Sequence, residues 1–115
     1  MTDRKALSRA YKENPPAMGV YRVRDTVTGG YFLGSALNLP GILNRTRFSL
    51  EMGNDRCREL QRAWNGHGEA ALVFGVLDTL DPSDDPAADK LEEVRVLEDM
   101  WRTRLEASDG PAWTV

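Results

Sequence analysis

The feature that most constrains this chain is a pair of short strand patterns separated by a turn. Residues 19–24 (GVYRVR) alternate apolar and polar side chains, with the period of two that is typical of a half-buried strand. Residues 31–35 (YFLGS) offer a second short strand, and residues 26–30 between them end in the two glycines that suit a tight turn. The sequence therefore predicts an antiparallel β-hairpin.

Two helix patterns follow the hairpin. The first has Pro40 in its first turn and ends at Gly53. The second begins near residues 54–55, where an Asn or Asp supplies the N-cap, and ends in the cluster 66–68 (GHG). His67, the single histidine, lies in that cluster, where we expect it to cap backbone carbonyls.

The later part of the chain adds one strand and one long helix. Residues 71–77 (ALVFGVL) are an almost continuous apolar run, which predicts a strand buried on both faces at the centre of the sheet. An acidic, proline-containing loop over 81–86 separates this strand from a helix that we expect from about Asp89 to Glu106. A short helical appendage is predicted over residues 2–13.

The order helix, strand, strand, helix, helix, strand, helix predicts a single α+β domain. Its 115 residues suffice for one hydrophobic core but not for a second independent one. We therefore expect one domain over residues 1–115, with its core over about 18–105 and a three-stranded central sheet flanked by helices.

Composition narrows the functional class. No apolar run approaches the roughly 18 residues needed to span a bilayer, and no secretory signal pattern is present, so a cytoplasmic protein is expected. One cysteine, Cys57, excludes an internal disulfide. Net charge is −3, but arginines cluster in the middle of the chain (Arg45, Arg47, Arg56, Arg58 and Arg62), which suits either phosphate contacts or a solvated helix face.

Glu98 is the most informative charged residue of the last helix. Leu91, Val94, Trp101 and Leu105 form one apolar stripe at helical spacing, and Glu98 falls inside it. A carboxylate on an inward-facing stripe is costly unless it is paired or bound to a cation. Metal ligation and an internal salt bridge to an arginine are both open at this point.

These motifs together resemble the GIY-YIG endonuclease domain of excision-repair nucleases and some homing endonucleases. Residues 19–21 (GVY) stand where that family has Gly-Ile-Tyr, and residues 32–34 (FLG) stand where it has Tyr-Ile-Gly. Residues 60–68 resemble the end of its second core helix, and residues 98–101 (EDMW) resemble the helix that bears its catalytic glutamate. The resemblance extends over nearly the whole chain.

The resemblance implies a metal-dependent DNA endonuclease that hydrolyses phosphodiester bonds by nicking or structure-selective cleavage. In this reading Glu98 binds Mg²⁺ or Mn²⁺, Tyr21 positions or deprotonates the attacking water, and an arginine on the first core helix steadies the phosphate. RNA as a substrate and the oligomeric state are left open. The substrate contacts that we assign under this reading are Phe32, Ser35, Asn38, Arg47 and Arg62.

Three residues depart from the family pattern. Phe32 replaces the second tyrosine and has no hydroxyl, Ile42 stands at the position of the helix arginine, and Thr46 stands where many members have a histidine. Arg45 lies three residues after Ile42 on a neighbouring part of the helix surface, so we expect it to supply the missing guanidinium. The alternatives are a degenerate GIY-YIG domain that binds nucleic acid or a protein partner without cleaving, and an acidic interaction module.

Overall fold

A computed structural model describes residues 16–81 and 89–115 of the chain. The predicted appendage over residues 2–13 and most of the predicted loop over 81–86 lie outside these ranges. The α+β class and the predicted order of the later elements are confirmed. The elements are β1 (Met18–Asp25), β2 (Tyr31–Ala36), α1 (Leu39–Glu51), α2 (Arg58–His67), a 3₁₀ turn (Glu69–Ala71), β3 (Leu72–Leu80) and α3 (Lys90–Asp109).

The sheet is antiparallel and has the order β2-β1-β3, so β1 is its central strand. The prediction that the apolar run forms the central strand was wrong, because β3 lies at an edge. The prediction of burial on both faces was also wrong, since Val73 and Val76 are about half exposed. β1 carries more charge, but Arg22 is accommodated on the α3 side by pairing with Asp109 at 3.5 Å.

Two hydrophobic clusters cover the two faces of the sheet. On one face, Tyr21 and Val23 of β1 pack with buried residues of α1 and α2, including Leu50 and Leu60. On the other face, buried residues of β1 and β2 pack against Leu105 of α3. The alternation predicted for the hairpin is thus confirmed, and the helices divide between the two faces.

The helix boundaries follow local capping chemistry. In α1, the Asn38 side chain accepts a hydrogen bond from the Gly41 N–H at 3.0 Å, and Pro40 occupies the first turn as predicted. In α2, the predicted start at residues 54–55 was wrong, because the Asp55 carboxylate accepts the Cys57 N–H at 2.9 Å and shapes the preceding loop. The N-cap is Cys57, so the helix begins two to three residues later than predicted.

The last helix, α3, is slightly longer than predicted. Asp89 is its N-cap and accepts the Glu92 N–H at 3.1 Å, and the helix ends before Gly110, whose φ is +83°. Leu91 does not belong to the buried stripe, because it is about half exposed, whereas Val94 is fully buried. No helix among residues 16–81 and 89–115 combines the length and the hydropathy that a membrane span requires.

The hairpin turn is held by a buried carboxylate. Asp25 is 1% exposed, and it accepts hydrogen bonds from the Val27 N–H at 2.9 Å and the Thr28 hydroxyl at 3.0 Å. His67 Nδ1 lies 2.8 Å from the same carboxylate. The prediction that His67 caps carbonyls was therefore wrong: the ring leaves the end of α2 to reach the sheet, where Asp25 offers it a charged partner.

The environment of Asp25 makes the free energy of unfolding depend on pH at acidic values. Burial by itself would raise the pKa of this carboxyl, but hydrogen bonds from Val27, His67 and Thr28 lower the pKa below its ordinary value. The ionised form is therefore favoured by folding. Its contribution to stability is complete above the unfolded-state pKa of about 4 and is lost as pH falls through the lower folded-state pKa.

We predict that Asp25→Asn lowers the free energy of unfolding at pH 7 by about 1–3 kcal/mol, because the turn and His67 lose an ionised partner. Urea unfolding between pH 2 and pH 7 measures this. The variant should lose less stability than the wild type below about pH 4. Asp99→Asn, which changes an exposed carboxylate on α3, is the control. Parallel pH profiles for wild type and Asp25→Asn would contradict the assignment.

Candidate active site

The site is organised by the contact between Tyr21 and Gly34. The two residues face each other across the β1–β2 ladder. A Cβ added to Gly34 would lie 2.7 Å from both Cζ and the hydroxyl oxygen of Tyr21, so the ring occupies the space that a side chain at Gly34 would fill. The phenol of Tyr21 therefore reaches across β2 toward the edge of the sheet.

Glu98 approaches the same edge from α3, on the opposite face of the sheet. Its Oε1 accepts a hydrogen bond from the Ser35 hydroxyl at 2.8 Å, and its Oε2 accepts one from Arg102 at 2.7 Å. The Glu98 side chain is 21% exposed, so most of it is covered by the protein while part of it remains in contact with solvent. Ser35 follows Gly34 directly in β2, and the edge of this strand brings the phenol and the carboxylate together.

Two adjoining cavities surround this edge. The larger, of about 420 Å³, lies on the α1 and α2 side and includes Arg45 in its lining. The smaller, of about 310 Å³, is lined by Ser35, Glu98 and Arg102. Both cavities share Tyr21, Phe32, Ile42, Arg56 and Val115. Tyr21, Glu98 and guanidinium groups thus line one connected depression.

The electrostatics of the depression act most strongly on Tyr21. Burial raises the pKa of the phenol to about 12, and the nearby carboxylates of Glu98 and Asp55 add to the rise. The Arg56 guanidinium and the Thr46 hydroxyl oppose it. Tyr21 is therefore a protonated hydrogen-bond donor at neutral pH. It becomes a base only if further positive charge enters the site.

The position of the second tyrosine is filled by an aromatic ring without a hydroxyl. The rings of Phe32 and Tyr21 have their centroids 6.1 Å apart at 46°, which is ordinary aromatic packing. Tyr31 points to the other face, as predicted, and its hydroxyl donates to the Gly110 carbonyl at 2.7 Å. The Tyr31 phenol therefore does not substitute for the hydroxyl that Phe32 lacks.

The predicted substrate contacts divide into two groups. Phe32 and Ser35 line the depression, and Asn38 borders a smaller cavity with Arg45. Among the described residues, Arg47 and Arg62 lie outside the lining of these cavities. Arg47 is 2.6 Å from the Glu69 carboxylate and stacks 4.4 Å from the Phe74 ring centroid. Arg62 is exposed on α2.

Arg56 is one of two arginines at the site that sequence reasoning missed, and Arg102 is the other. The sequence indicates Arg56 only as one of the arginines in the middle of the chain, because its pattern predicts that this residue lies within the second helix. In the structure it lies in the loop between α1 and α2 and lines both cavities. Asp55 fixes that loop by accepting the Ser49 hydroxyl at 2.5 Å, and Gln61 accepts the Asp55 N–H at 3.0 Å. The Asp55-to-Cys57 turn was the signal that could have revealed it.

Comparison with known proteins identifies the fold. No protein-family model matches the sequence, and no curated protein matches it. The catalytic domain of the homing endonuclease I-TevI superposes with a TM-score of 0.65 at 21% identity, over 82% of this chain and 94% of that domain. A mutant form of the I-TevI catalytic domain gives a TM-score of 0.67 at 20% identity, over 85% and 92%. The chain has the GIY-YIG fold.

The GIY-YIG fold accounts for the spacing of the hairpin glycines. Gly34, in the second motif, leaves the space that Tyr21, in the first, occupies. Gly19, also in the first motif, lies against β3: a Cβ there would overlap the Asp78 carbonyl oxygen, next to the irregularity in the β1–β3 register at residues 20 and 21. The two motifs thus depend on each other sterically, which explains why they are informative as a pair.

We predict that Gly34→Ala lowers the free energy of unfolding by about 1–3 kcal/mol, because the new methyl group displaces the Tyr21 ring. Chemical denaturation measures this. Gly66→Ala is the matched control: it lies in α2 with nothing within 4 Å of its added Cβ, so it should be neutral or slightly stabilising. In a Tyr21→Ala background the cost of Gly34→Ala should largely disappear. An undiminished cost there would show that the clash is elsewhere.

Proposed function

We propose that this chain is a divalent-metal-dependent endonuclease of the GIY-YIG type that hydrolyses phosphodiester bonds in DNA. One observation carries the proposal: a carboxylate, a buried phenol and guanidinium groups line one depression at the β2 edge. The depression lies in a fold shared with the catalytic domain of a homing endonuclease. Phosphodiester hydrolysis needs groups of these kinds, because negative charge develops on the phosphate while a water molecule is positioned to attack it.

The donor set at Glu98 suits Mg²⁺ or Mn²⁺. Within residues 16–81 and 89–115, no three His, Cys, Asp or Glu side chains converge on one point. A lone carboxylate fits a hard cation that keeps several water ligands and completes its coordination with substrate phosphate. When bound, such a cation supplies positive charge to the phosphate and lowers the pKa of a coordinated water. The Ser35 hydroxyl, which already donates to Glu98, fixes the orientation of the carboxylate.

Tyr21 is proposed to orient the attacking water or a phosphate oxygen by donating a hydrogen bond. With a pKa of about 12, the phenol holds its proton at neutral pH. Its position is set by the backbone of β2, so the hydroxyl needs little reorganisation when substrate arrives. Proton abstraction by Tyr21 would require the positive charge of a bound cation to lower that pKa.

The guanidinium that steadies the phosphate is proposed to come from Arg45 or Arg56. Arg45 shares the larger cavity with Tyr21 and Ile42, in line with its proposed replacement of a helix arginine. Arg56 lines that cavity and the one containing Glu98 as well. Phe32, Ser35 and Asn38 are proposed as further substrate contacts near the depression. Arg47 and Arg62 are proposed to contact more distant phosphates of the DNA backbone.

A second candidate function is DNA binding without cleavage. Phe32 and Ile42 line the depression at the positions where a hydroxyl and a guanidinium are expected, and neither supplies a polar group. The surrounding arginines would still bind phosphates, with an affinity that falls as salt rises. Cleavage and binding assays on the same preparation separate the two functions.

We predict that purified protein nicks or cuts plasmid or branched DNA in the presence of Mg²⁺ or Mn²⁺, and that Glu98→Gln reduces the rate by about 10³-fold or more, because charge stabilisation at the phosphate is lost. Gel-based cleavage time courses measure this, with the corresponding RNA as a parallel substrate. Glu106→Gln, an exposed change on the same helix, is the control. Salt-dependent binding with no metal-dependent cleavage would support the second candidate.

We predict that only one of the two arginines acts as the phosphate clamp. Its replacement by alanine should lower the cleavage rate by about 10³-fold with little change in DNA affinity, because the interaction strengthens only in the transition state. Arg56→Ala, Arg45→Ala and the exposed control Arg95→Ala are compared in single-turnover assays. Equal small effects of all three variants would contradict a clamp at either position.

A further inference from the structure

The ion pair between Glu98 and Arg102 bears directly on how a cation reaches the site. The two residues are one helical turn apart on α3, and their closest atoms are 2.7 Å apart. Ser35 donates to the other carboxylate oxygen at 2.8 Å. Both oxygens of Glu98 are therefore engaged by donors from the protein, and Arg102 lines the same cavity as Glu98.

A guanidinium and a divalent cation compete for the same carboxylate. Both are positive, so their charges repel when both lie within a few ångströms of one acceptor, and the partly enclosed surroundings weaken the screening of that repulsion. The Arg102 side chain is 28% exposed and lines the cavity of about 310 Å³, so there is open space next to it. There it would face incoming phosphate, which a planar guanidinium binds in bidentate geometry.

We infer that Arg102 is a phosphate-binding residue that remains ion-paired with Glu98 until DNA binds. The binding of the metal is therefore coupled to the binding of the substrate. This inference rests on the proposed nuclease function. The DNA backbone draws Arg102 away from Glu98, the carboxylate becomes free for the cation, and the cation in turn strengthens DNA binding. Metal and DNA are then positively coupled ligands, and the coupling passes through one side chain.

The contrasting possibility is that the pair only stabilises α3. A Glu and an Arg four residues apart on an exposed helix contribute about 0.2–0.5 kcal/mol to helix stability. A purely structural pair also competes with the cation, so removing Arg102 raises the metal affinity of the free protein in either case. The two roles differ in how DNA changes the metal affinity, because that change depends on Arg102 only if Arg102 moves to the phosphate.

The test measures Mn²⁺ binding to the DNA-free protein by titration calorimetry or by loss of the free Mn²⁺ paramagnetic resonance signal. Arg102→Met should bind Mn²⁺ about tenfold more tightly than the wild type, because the competing charge is removed. Arg102→Lys keeps a charge but loses the planar fork and should be intermediate. Arg104→Met, an equal change of charge at an exposed position six residues from Glu98 and therefore on another side of the same helix, should match the wild type.

The coupling is measured separately with a 20-base-pair duplex in a Tyr21→Phe background, which limits cleavage. Duplex should tighten Mn²⁺ binding when Arg102 is present and have a much smaller effect in Arg102→Met. An equal effect of duplex on wild type and Arg102→Met, or equal Mn²⁺ affinities of the two proteins without DNA, would overturn the inference. If Glu98→Gln still abolished Mn²⁺ binding, the proposed function would stand. Mn²⁺ binding that is unaffected by Glu98→Gln would overturn both.

Discussion

The contact between the Tyr21 ring and the backbone at Gly34 is the constraint on which the rest of the site depends. A sheet normally separates the groups on its two faces, and Tyr21 and Glu98 belong to opposite faces. Because Gly34 has no side chain, the phenol extends to the strand edge, where the carboxylate arrives from the other side past Ser35. The site is therefore a property of the β2 edge. It does not need a deep cleft between domains.

The same geometry produces the electrostatics of the site. A buried phenol near the carboxylates of Glu98 and Asp55 has its pKa raised to about 12, and the protein offsets this only in part with Arg56. Arg102 neutralises Glu98 in the free protein. The depression thus contains carboxylates close to guanidinium groups, and groups of both charges are what a site for a cation and a phosphate requires.

The sequence predicts most of the fold because its signals are local. Alternation defined the hairpin, Pro40 and Gly53 bounded α1, and the stripe with Val94 and Leu105 placed α3 against the sheet. The central position predicted for residues 71–77 was wrong, because apolar content does not show which strand pairs on both sides. The role of His67 was missed for a similar reason: its partner Asp25 is 42 residues away and reveals itself only in three dimensions.

The guanidinium was the least predictable part of the site, and side-chain length explains why. A phenol or a carboxylate reaches only a few ångströms from its backbone, so Tyr21 and Glu98 must occupy particular positions of β1 and α3. An arginine is long enough to reach one phosphate from several backbone positions. Arg45 on α1, Arg56 in the following loop and Arg102 on α3 all line the depression. Ile42 at the position where the resemblance places an arginine therefore says little about charge at the site, because three arginines at other positions line the depression.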